Sequence, residues 1–254
     1  MITQDDILAD LHTHTIFSLH AYSTIEENIA AAERANLKFV AITDHFYSDG
    51  TDLNKRNEAS RIAYMYRINA GYHKVYVVNS AEFNIAQKID YWNKIADISW
   101  RPIGLHAWFV DRNTLTLETL YALFKESTQR HNAFVHIVRE LHKIQHKKYK
   151  HGLHEDVKQF LQKMVQLAKD KNIYLELNES SVRMNEDNIT VDRIYYWLKL
   201  AKENGNRIYL GTDAHYSYEV GNFDNAITLL NELNYPKDLI LNCNLDQLND
   251  LFKK

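Results

Sequence analysis

Cysteine is almost absent from this chain: Cys243 is the single example in 254 residues. That excludes an intramolecular disulfide and a thiolate metal site, and it suits a reducing, cytoplasmic setting. Proline and glycine are scarce as well, at 2 and 7 residues. No Pro/Gly-rich linker interrupts the sequence, so one domain over residues 1–254 is expected. An excess of basic charge is also lacking, and the formal net charge of -3 argues against a general nucleic-acid binder. No apolar run approaches the roughly 20 residues that would span a bilayer. The start, Met1-Ile2-Thr3-Gln4-Asp5-Asp6, is polar and acidic, unlike the basic and then apolar start of a signal peptide. We therefore expect a cytoplasmic protein with no membrane partner and no stable nucleic-acid partner; a homo-oligomer is compatible with all of this.

What is present is an ordinary globular composition, 45% apolar and 25% charged, long enough for one large α/β domain. The anomaly is histidine, with 13 residues. The run Asp10-Leu11-His12-Thr13-His14 follows the apolar Ile7-Leu8-Ala9. On a strand, alternate side chains share a face, so His12 and His14 point the same way, as a pair of metal ligands would.

Strand-like and helix-like segments alternate from end to end. Strands are expected at Ile7 to His12, Phe39 to Thr43, Val75 to Val78, an irregular stretch from Ile95 to Leu105 around Pro102, Ala133 to Val135, Ile173 to Leu177 and Ile208 to Gly211. Helices are expected at Ile25 to Asn36 (capped by Ser23 or Thr24), about Asn57 to Gly71, Thr116 to Arg130, Leu153 to Lys171, Val191 to Glu203, Phe223 to Leu233 and Leu245 to Phe252. Such alternation implies parallel strands with crossover helices. The expected fold is α/β, about seven strand–helix units in one domain closed as a barrel.

His12, His14, His45, Glu82, His106, His136, Asp213 and His215 each stand where one of these strands ends, and His20 lies in the loop after His14. A parallel barrel gathers its strand ends on one face, the face that carries active sites. Seven imidazoles and two carboxylates pooled there would repel one another when bare, and metal cations relieve that. Nitrogen and oxygen donors suit zinc, manganese or iron, and nine ligands with one bridging carboxylate would support up to three divalent ions. Clustered metals clamp a phosphoryl group and deliver hydroxide to it.

These residues resemble the PHP (polymerase and histidinol phosphatase) superfamily over nearly the whole chain. The matching pieces are Asp-Leu-His-Thr-His-Thr at 10–15, His-Ala-Tyr-Ser-Thr at 20–24, Ala-Ile-Thr-Asp-His at 41–45, Glu82, His106, His136, Leu-Glu-Leu-Asn-Glu-Ser-Ser at 175–181 and Gly-Thr-Asp-Ala-His at 211–215. A histidine at position 20 is similar to the stand-alone bacterial phosphatase branch; polymerase-associated members commonly carry an acidic residue there. The resemblance implies a distorted seven-stranded β/α (TIM-like) barrel holding three metals, usually zinc. His12, His14, Glu82 and Asp213 would hold one, Glu82 would bridge to a second held by His106 and His136, and His20, His45 and His215 would hold the third. It departs from relatives after His136, where Ile137-Val138-Arg139 replaces a frequent Pro-Gly, and after His106, where Ala107-Trp108-Phe109 follows. Both changes fall on the pocket wall.

The expected activity is hydrolysis of a small phosphomonoester by attack of a metal-bound hydroxide, with Asp213, His215 and Glu82 in catalytic roles. Arg139, Arg183 and Asn178 are the expected substrate contacts. Histidinol phosphate or a phosphodiester would keep the family and change the substrate. An amidohydrolase would need a different bridging group, such as a lysine on a middle strand, and a metal-storing protein would need no open coordination position. Several residues are left open. Asp10 and Asp44 either orient imidazoles or cap turns, and Glu176 either fills the barrel interior or lines its mouth. Lys143, Lys147, Lys148 and Lys150 with His142, His146, His151 and His154 form either a solvated loop or a phosphate attractor. His73 and His131 are expected at helix C-termini. Tyr22, Tyr47, Trp108 and Tyr216 neighbour ligands and either pack or stack on a substrate.

Overall fold

Parallel strands joined by helices are what the alternating pattern requires, and the strands do pair in parallel throughout. A computed structural model of the protein describes residues 1–46, 68, 73–85, 98–105, 114–139, 141, 144, 148–149, 152–183 and 189–253. Its elements run β1 (Ala9–Thr13), α1 (Ile25–Arg34), β2 (Phe39–Ile42), β3 (Tyr76–Val78), β4 (Phe83–Asn84), β5 (Pro102–Gly104), α2 (Leu117–Ser127), β6 (Ala133–Phe134), α3 (Glu155–Lys171), β7 (Tyr174–Asn178), α4 (Glu179–Arg183), α5 (Ile189–Glu203), β8 (Ile208–Gly211), α6 (Asp224–Glu232) and α7 (Leu245–Phe252). The expected helix near 57–71 apart from Ile68, His106 with its following aromatic segment, Tyr47, and the histidines and lysines at 142, 143, 146, 147, 150 and 151 lie outside the described residues.

Local chemistry explains most boundaries. Thr24, not Ser23, caps α1 in a reciprocal box: its hydroxyl accepts from Glu27 N, and Glu27 accepts from Thr24 N at 2.7 Å. Helix α3 buries Val157, Phe160, Leu161, Met164, Val165 and Ala168 along one stripe and stops at Asn172, whose φ of 57° is left-handed. Pro102 opens β5, where its missing N–H interrupts the ladder least. Helix α4 was not expected, so Arg183 ends a short helix and does not lie in a loop.

Among the described residues the backbone ladders draw two sheets, β1-β2-β3 and β4-β5-β6-β7-β8, and not one closed seven-stranded sheet. Side chains occupy both seams. Between β3 and β4, Ser80 donates its hydroxyl to Ile42 O at 2.8 Å, and single parallel bridges join Ser80 to Trp100 and His45 to Glu82. Between β1 and β8, Asn242 donates to Ala9 O and Leu210 O and accepts from Leu210 N. Higher on that seam Asp10 accepts from Thr212 N and Thr212 Oγ1, before Thr13 bridges to Ala214.

Ala9, Leu11, Phe39, Trp100, Tyr174 and Tyr209 form the core enclosed by the strands, and Leu248 and Phe252 of α7 pack into the same cluster. The opposite faces of the strands pack under the helices, with Phe134, Leu175, Leu177 and Leu210 against α3, α5 and α6 and with Val40, Ile42 and Val77 against α1. The C-terminal strand ends are left for polar groups.

Candidate metal centre

His12 and His14 reach the centre because β1 is irregular. Strict alternation would set Leu11 and His12 on opposite faces. Yet Leu11 belongs to the inner core with Tyr174, and His12 Nδ1 lies 2.5 Å from Oε1 of Glu176, which shares Tyr174's side of β7. The β1–β2 register shifts between Asp10 and Thr13, so consecutive residues face inward, as a bulge allows. Gly211 makes room for this: a Cβ there would collide with His12 Cβ and lie 2.8 Å from Glu176 Oε1.

Around this pair the strand ends converge. His12 Nε2 and His14 Nε2 are 3.0 Å apart. Asp213 Oδ1 lies 3.5 and 3.2 Å from those two nitrogens, and Glu82 Oε2 lies 3.6 and 3.5 Å from them. Glu82 Oε2 is also 3.0 Å from His45 Nδ1, while its other oxygen is 2.9 Å from His136 Nε2. His20 stacks on the His45 ring at 5.0 Å and lies tilted, 4.8 Å from that of His215. Two triads, His12–His14–Glu82 and His14–Asp213–His215, have all their donor atoms within 4.8 Å of one another.

Hydrogen bonds set most of these imidazoles to present Nε2. Nδ1 contacts Glu176 in His12 (2.5 Å), Ser18 Oγ in His14 (2.9 Å), Ser18 O in His20 (2.7 Å) and Asp213 O in His215 (2.8 Å). Such outer contacts fix the tautomer and aim the lone pair of a metal-ligating imidazole. They are themselves supported: Asp44 accepts from Thr15 N, Thr15 Oγ1 and Ser18 Oγ at 2.6–2.7 Å, and Glu219 accepts from His215 N at 3.1 Å. Asp213 and His136 sit at positive φ, 55° and 29°, a conformation non-glycine residues adopt at some cost.

The electrostatics is that of a crowded, dry cluster. Burial works against a charged His12, but Glu176, Glu82 and Asp213 outweigh it and hold its pKa well above the usual range. Burial pushes His14 well below it, and the neighbouring His45 and His12 act in the same direction. His20 is lowered by burial and by His45 and His215. Burial works to raise Asp213, but His12, His14 and Arg139 hold it well below the carboxylate range. Asp10 is pushed up to about 6 by burial, against four hydrogen bonds to its carboxylate.

The structure brings His12, His14, His20, His45, Glu82, His136, Asp213 and His215 into one cluster; His106 is outside the described residues. Arg139 Nη1 donates to Asp213 Oδ2 at 2.5 Å and keeps a third of its side chain exposed. Arg183 is held by Glu219 at 2.6 Å. Asn178 is 3% exposed and accepts from Ser181 N at 2.7 Å at the start of α4. Both side chains thus also tie the loop scaffold together. Lys148 pairs with Asp156 at 2.8 Å, and His154 is the N-cap of α3, so the described part of the basic run serves local structure. Of the two open acidic residues, Asp10 clamps the backbone of Thr212 and Gly221, and Asp44 acts on His14 only through Ser18. Glu176, whose second oxygen accepts from His136 N at 2.8 Å, is the functional group that sequence reasoning underrated. Its signal was an acid in the middle of a strand otherwise apolar at Leu175 and Leu177.

The PHP domain family model matches residues 10–180, which takes in every member of the cluster except Asp213 and His215. Proteins named "Probable phosphatase" from Clostridium acetobutylicum and Clostridium novyi are 27% and 28% identical to this chain over 242 and 243 residues. They cover 92% of it, and 90% and 89% of their own lengths. A crystal structure of histidinol phosphate phosphatase from Lactococcus lactis subsp. lactis, complexed with zinc, L-histidinol and phosphate, matches with a TM-score of 0.61 at 18% identity, over 90% of this chain and 94% of that one. A chain of the archaeal ribonuclease P structure with mature tRNA matches at 0.53 and 16%, over 96% and 89%. At these identities the two solved structures establish a shared fold.

Proposed function

The chain belongs to the PHP domain family, and from that premise we propose that it is a metal-dependent phosphatase acting on a small phosphomonoester. The observation that carries this reading is the set of four imidazoles held through Nδ1, two of which, His12 and His14, bring Nε2 within 3.2–3.6 Å of the carboxylates of Glu82 and Asp213. That donor set fits divalent cations of the zinc, manganese or iron kind. In our reading His12, His14, Glu82 and Asp213 hold one ion, Glu82 is shared with a second at His136 and His106, and His20, His45 and His215 hold a third. Cations held there supply Lewis acidity toward phosphoryl oxygens and activate water. The two sheets then read as one distorted seven-stranded barrel in a single domain, with β3 and β4 as halves of one interrupted strand.

The protein's own residues divide the remaining work. Arg139, half-released from the interior and charged at any working pH, presents a planar fork to a phosphoryl oxygen beside Asp213. Asp213 stays ionised, which keeps it a ligand and an acceptor for Arg139. His215 fixes its Nδ1 proton on the Asp213 carbonyl and sits at the open edge, with 26% of its side chain exposed, so Nε2 is the nitrogen it has for an ion. Arg183 and Asn178, whose Nδ2 has no hydrogen-bond partner among the described residues, are the next candidates to reach a bound ester.

Elemental analysis of protein purified without chelator, together with a phosphomonoester panel that includes histidinol phosphate and a phosphodiester control, tests the proposal. We expect about three metals per chain, about one fewer in His20→Ala and a larger loss in Glu82→Ala. Hydrolysis should be abolished by a chelator and restored by zinc or manganese. One metal or none with both ions supplied, or no hydrolysis of any phosphomonoester, would overturn it.

A further inference from the structure

At the N-terminal ends of the strands, away from the metal centre, a cleft of about 390 Å³ opens between β2, β3 and α7. Lys38, one residue before β2, and Lys74, two residues before β3, line it from the strand side. Lys253 lines it from the end of α7, where Leu245, Asn249 and Lys253 recur at helical spacing on one face. Val75, Tyr76 and Leu245 supply an apolar wall. From this cleft the four residues of β2, about 13 Å of strand, run toward His45 on the metal-bearing side. Residues at this end of a parallel barrel ordinarily serve stability, and three gathered lysines do not.

The lysines are fixed at their roots and unpaired at their tips. Lys38 N donates to Leu8 O at 2.7 Å, and Lys38 O accepts from Tyr76 N at 2.8 Å. Lys74 N donates to Glu33 Oε1 at 2.7 Å. Lys253 Nζ lies 4.9 and 5.7 Å from the ring centres of Phe39 and Tyr76, and the Tyr76 hydroxyl donates to Phe252 O at 2.8 Å. No Asp or Glu lines the cleft, and among the described residues no ion pair takes Nζ of Lys38, Lys74 or Lys253. Glu26 and Glu33 of α1 stand 3.8 and 4.0 Å from the ring nitrogens of His73, which also lines the cleft.

Three cations converging without a counter-ion repel one another, and a bound anion removes that cost. A monoanion would leave two of the three charges unmatched. A nucleic acid would call for a wide basic surface, which a chain of net charge -3 does not suggest. The volume is that of a small-molecule site, and the mixture of an apolar wall with a few charged groups is what such sites carry. We infer that this cleft binds a small organic dianion, a phosphoryl group or a pair of carboxylates on a compact apolar frame. The charges meet Lys38, Lys74 and Lys253, and the frame lies along Val75, Tyr76 and Leu245. This site is independent of the metal centre and of the phosphatase reading.

Calorimetry on the metal-loaded full chain tests it with two probes, phenylphosphonate for a phosphoryl group and isophthalate for a pair of carboxylates. Benzoate, with one charge, is the control. We expect at least one dianion to bind with a Kd below about 1 mM and benzoate to bind roughly tenfold more weakly. The double variant Lys38→Ala/Lys74→Ala should lose roughly tenfold or more of the dianion's affinity. Both lysines are exposed, so fold and metal content should hold. Phenylphosphonate can also reach the metal centre, so its binding is measured again in His20→Ala, where binding at the cleft should persist. Tighter phenylphosphonate would support the site and identify a phosphorylated ligand, and tighter isophthalate would support it and identify a polycarboxylate. No dianion binding below that limit, benzoate binding as tightly, or affinity that the double variant leaves unchanged would overturn the inference. Binding lost in His20→Ala but kept in the double variant would overturn it too, by placing the anion at the metal centre.

Discussion

Glu176 and His12 face each other across the interior at 2.5 Å, carboxylate to Nδ1, with both side chains fully buried. The same carboxylate accepts the backbone N–H of His136 at 2.8 Å, so one residue of β7 holds imidazole-bearing residues on β1 and after β6. Replacing it by glutamine keeps the shape and removes the charge that fixes the His12 tautomer. We expect Glu176→Gln to weaken metal affinity by roughly 10–100-fold with little loss of helix or strand content. Competition with a chromophoric chelator measures the first, and far-ultraviolet circular dichroism the second. Unchanged affinity would show that His12 is oriented by packing alone.

Arg139 is the one arginine among the described residues paired with a member of the cluster. If it meets a phosphoryl oxygen, removing it deletes a charge-assisted hydrogen bond of about 1.5–3 kcal/mol. Arg139→Ala should then lower kcat/KM by roughly 10–150-fold, mostly through KM, while metal content holds. Arg139→Lys should recover part of the loss, since it keeps the charge and loses the fork. A fall in metal content equal to the fall in activity would instead assign Arg139 to Asp213 alone.

Gly211 is needed for space, because a methyl group there meets His12 and Glu176. Gly211→Ala should cost about 1–3 kcal/mol of stability by overpacking and reduce metal content as well, whereas the exposed Gly152→Ala, with nothing within 4 Å of its Cβ, should leave metal content unchanged. Urea denaturation and elemental analysis of the two variants make the comparison.

His131 carries a pH dependence separate from the metal cluster. It lies 5% exposed, with Nδ1 3.2 Å from Arg101 O and its ring edge-on to Phe83. Burial pushes its pKa down to about 3, against the Arg101 hydrogen bond. Below pH ~6.5 the unfolded chain takes up a proton there that the folded chain refuses, so the unfolded state gains as pH falls. The stability that His131 protects at neutral pH is lost at up to about 1.4 kcal/mol per pH unit from about 6.5 toward 3. In urea titrations at pH 6.5 and 5, the parent should lose about 2 kcal/mol more than His131→Gln. Equal losses would place the acid sensitivity elsewhere.

Most of the elements could be read from periodicity. β8 and α7 fall on the expected residues, and α3 buries the expected stripe, because apolar spacing encodes which face is covered and long helices average over local noise. The described members of the cluster could be read for a related reason: apart from His20, each histidine or acid stands near the end of a strand, and parallel strands deliver their ends to one side. Short-range signals were less informative. Helix α4 has only five residues, too few for a period to show, so Arg183 was expected in a loop.

The sequence by itself determined the parallel α/β plan, the donor chemistry without thiolate, and the strand ends at which the donors stand. Tertiary structure alone decided what supports them. It set the shifted register that turns both Leu11 and His12 inward, the close approach at Gly211, the pairing of Glu176 with His12, and the seams where Ser80, Asp10 and Asn242 replace backbone ladders. It also stacked Tyr22, Tyr216 and Tyr218 from two loops nearly two hundred residues apart (Tyr22 to Tyr216). The reason is that alternation and composition are local properties of a chain. Register, close approach and the partner of a buried charge depend on residues far away in sequence, and are set only when the sheets close on one another.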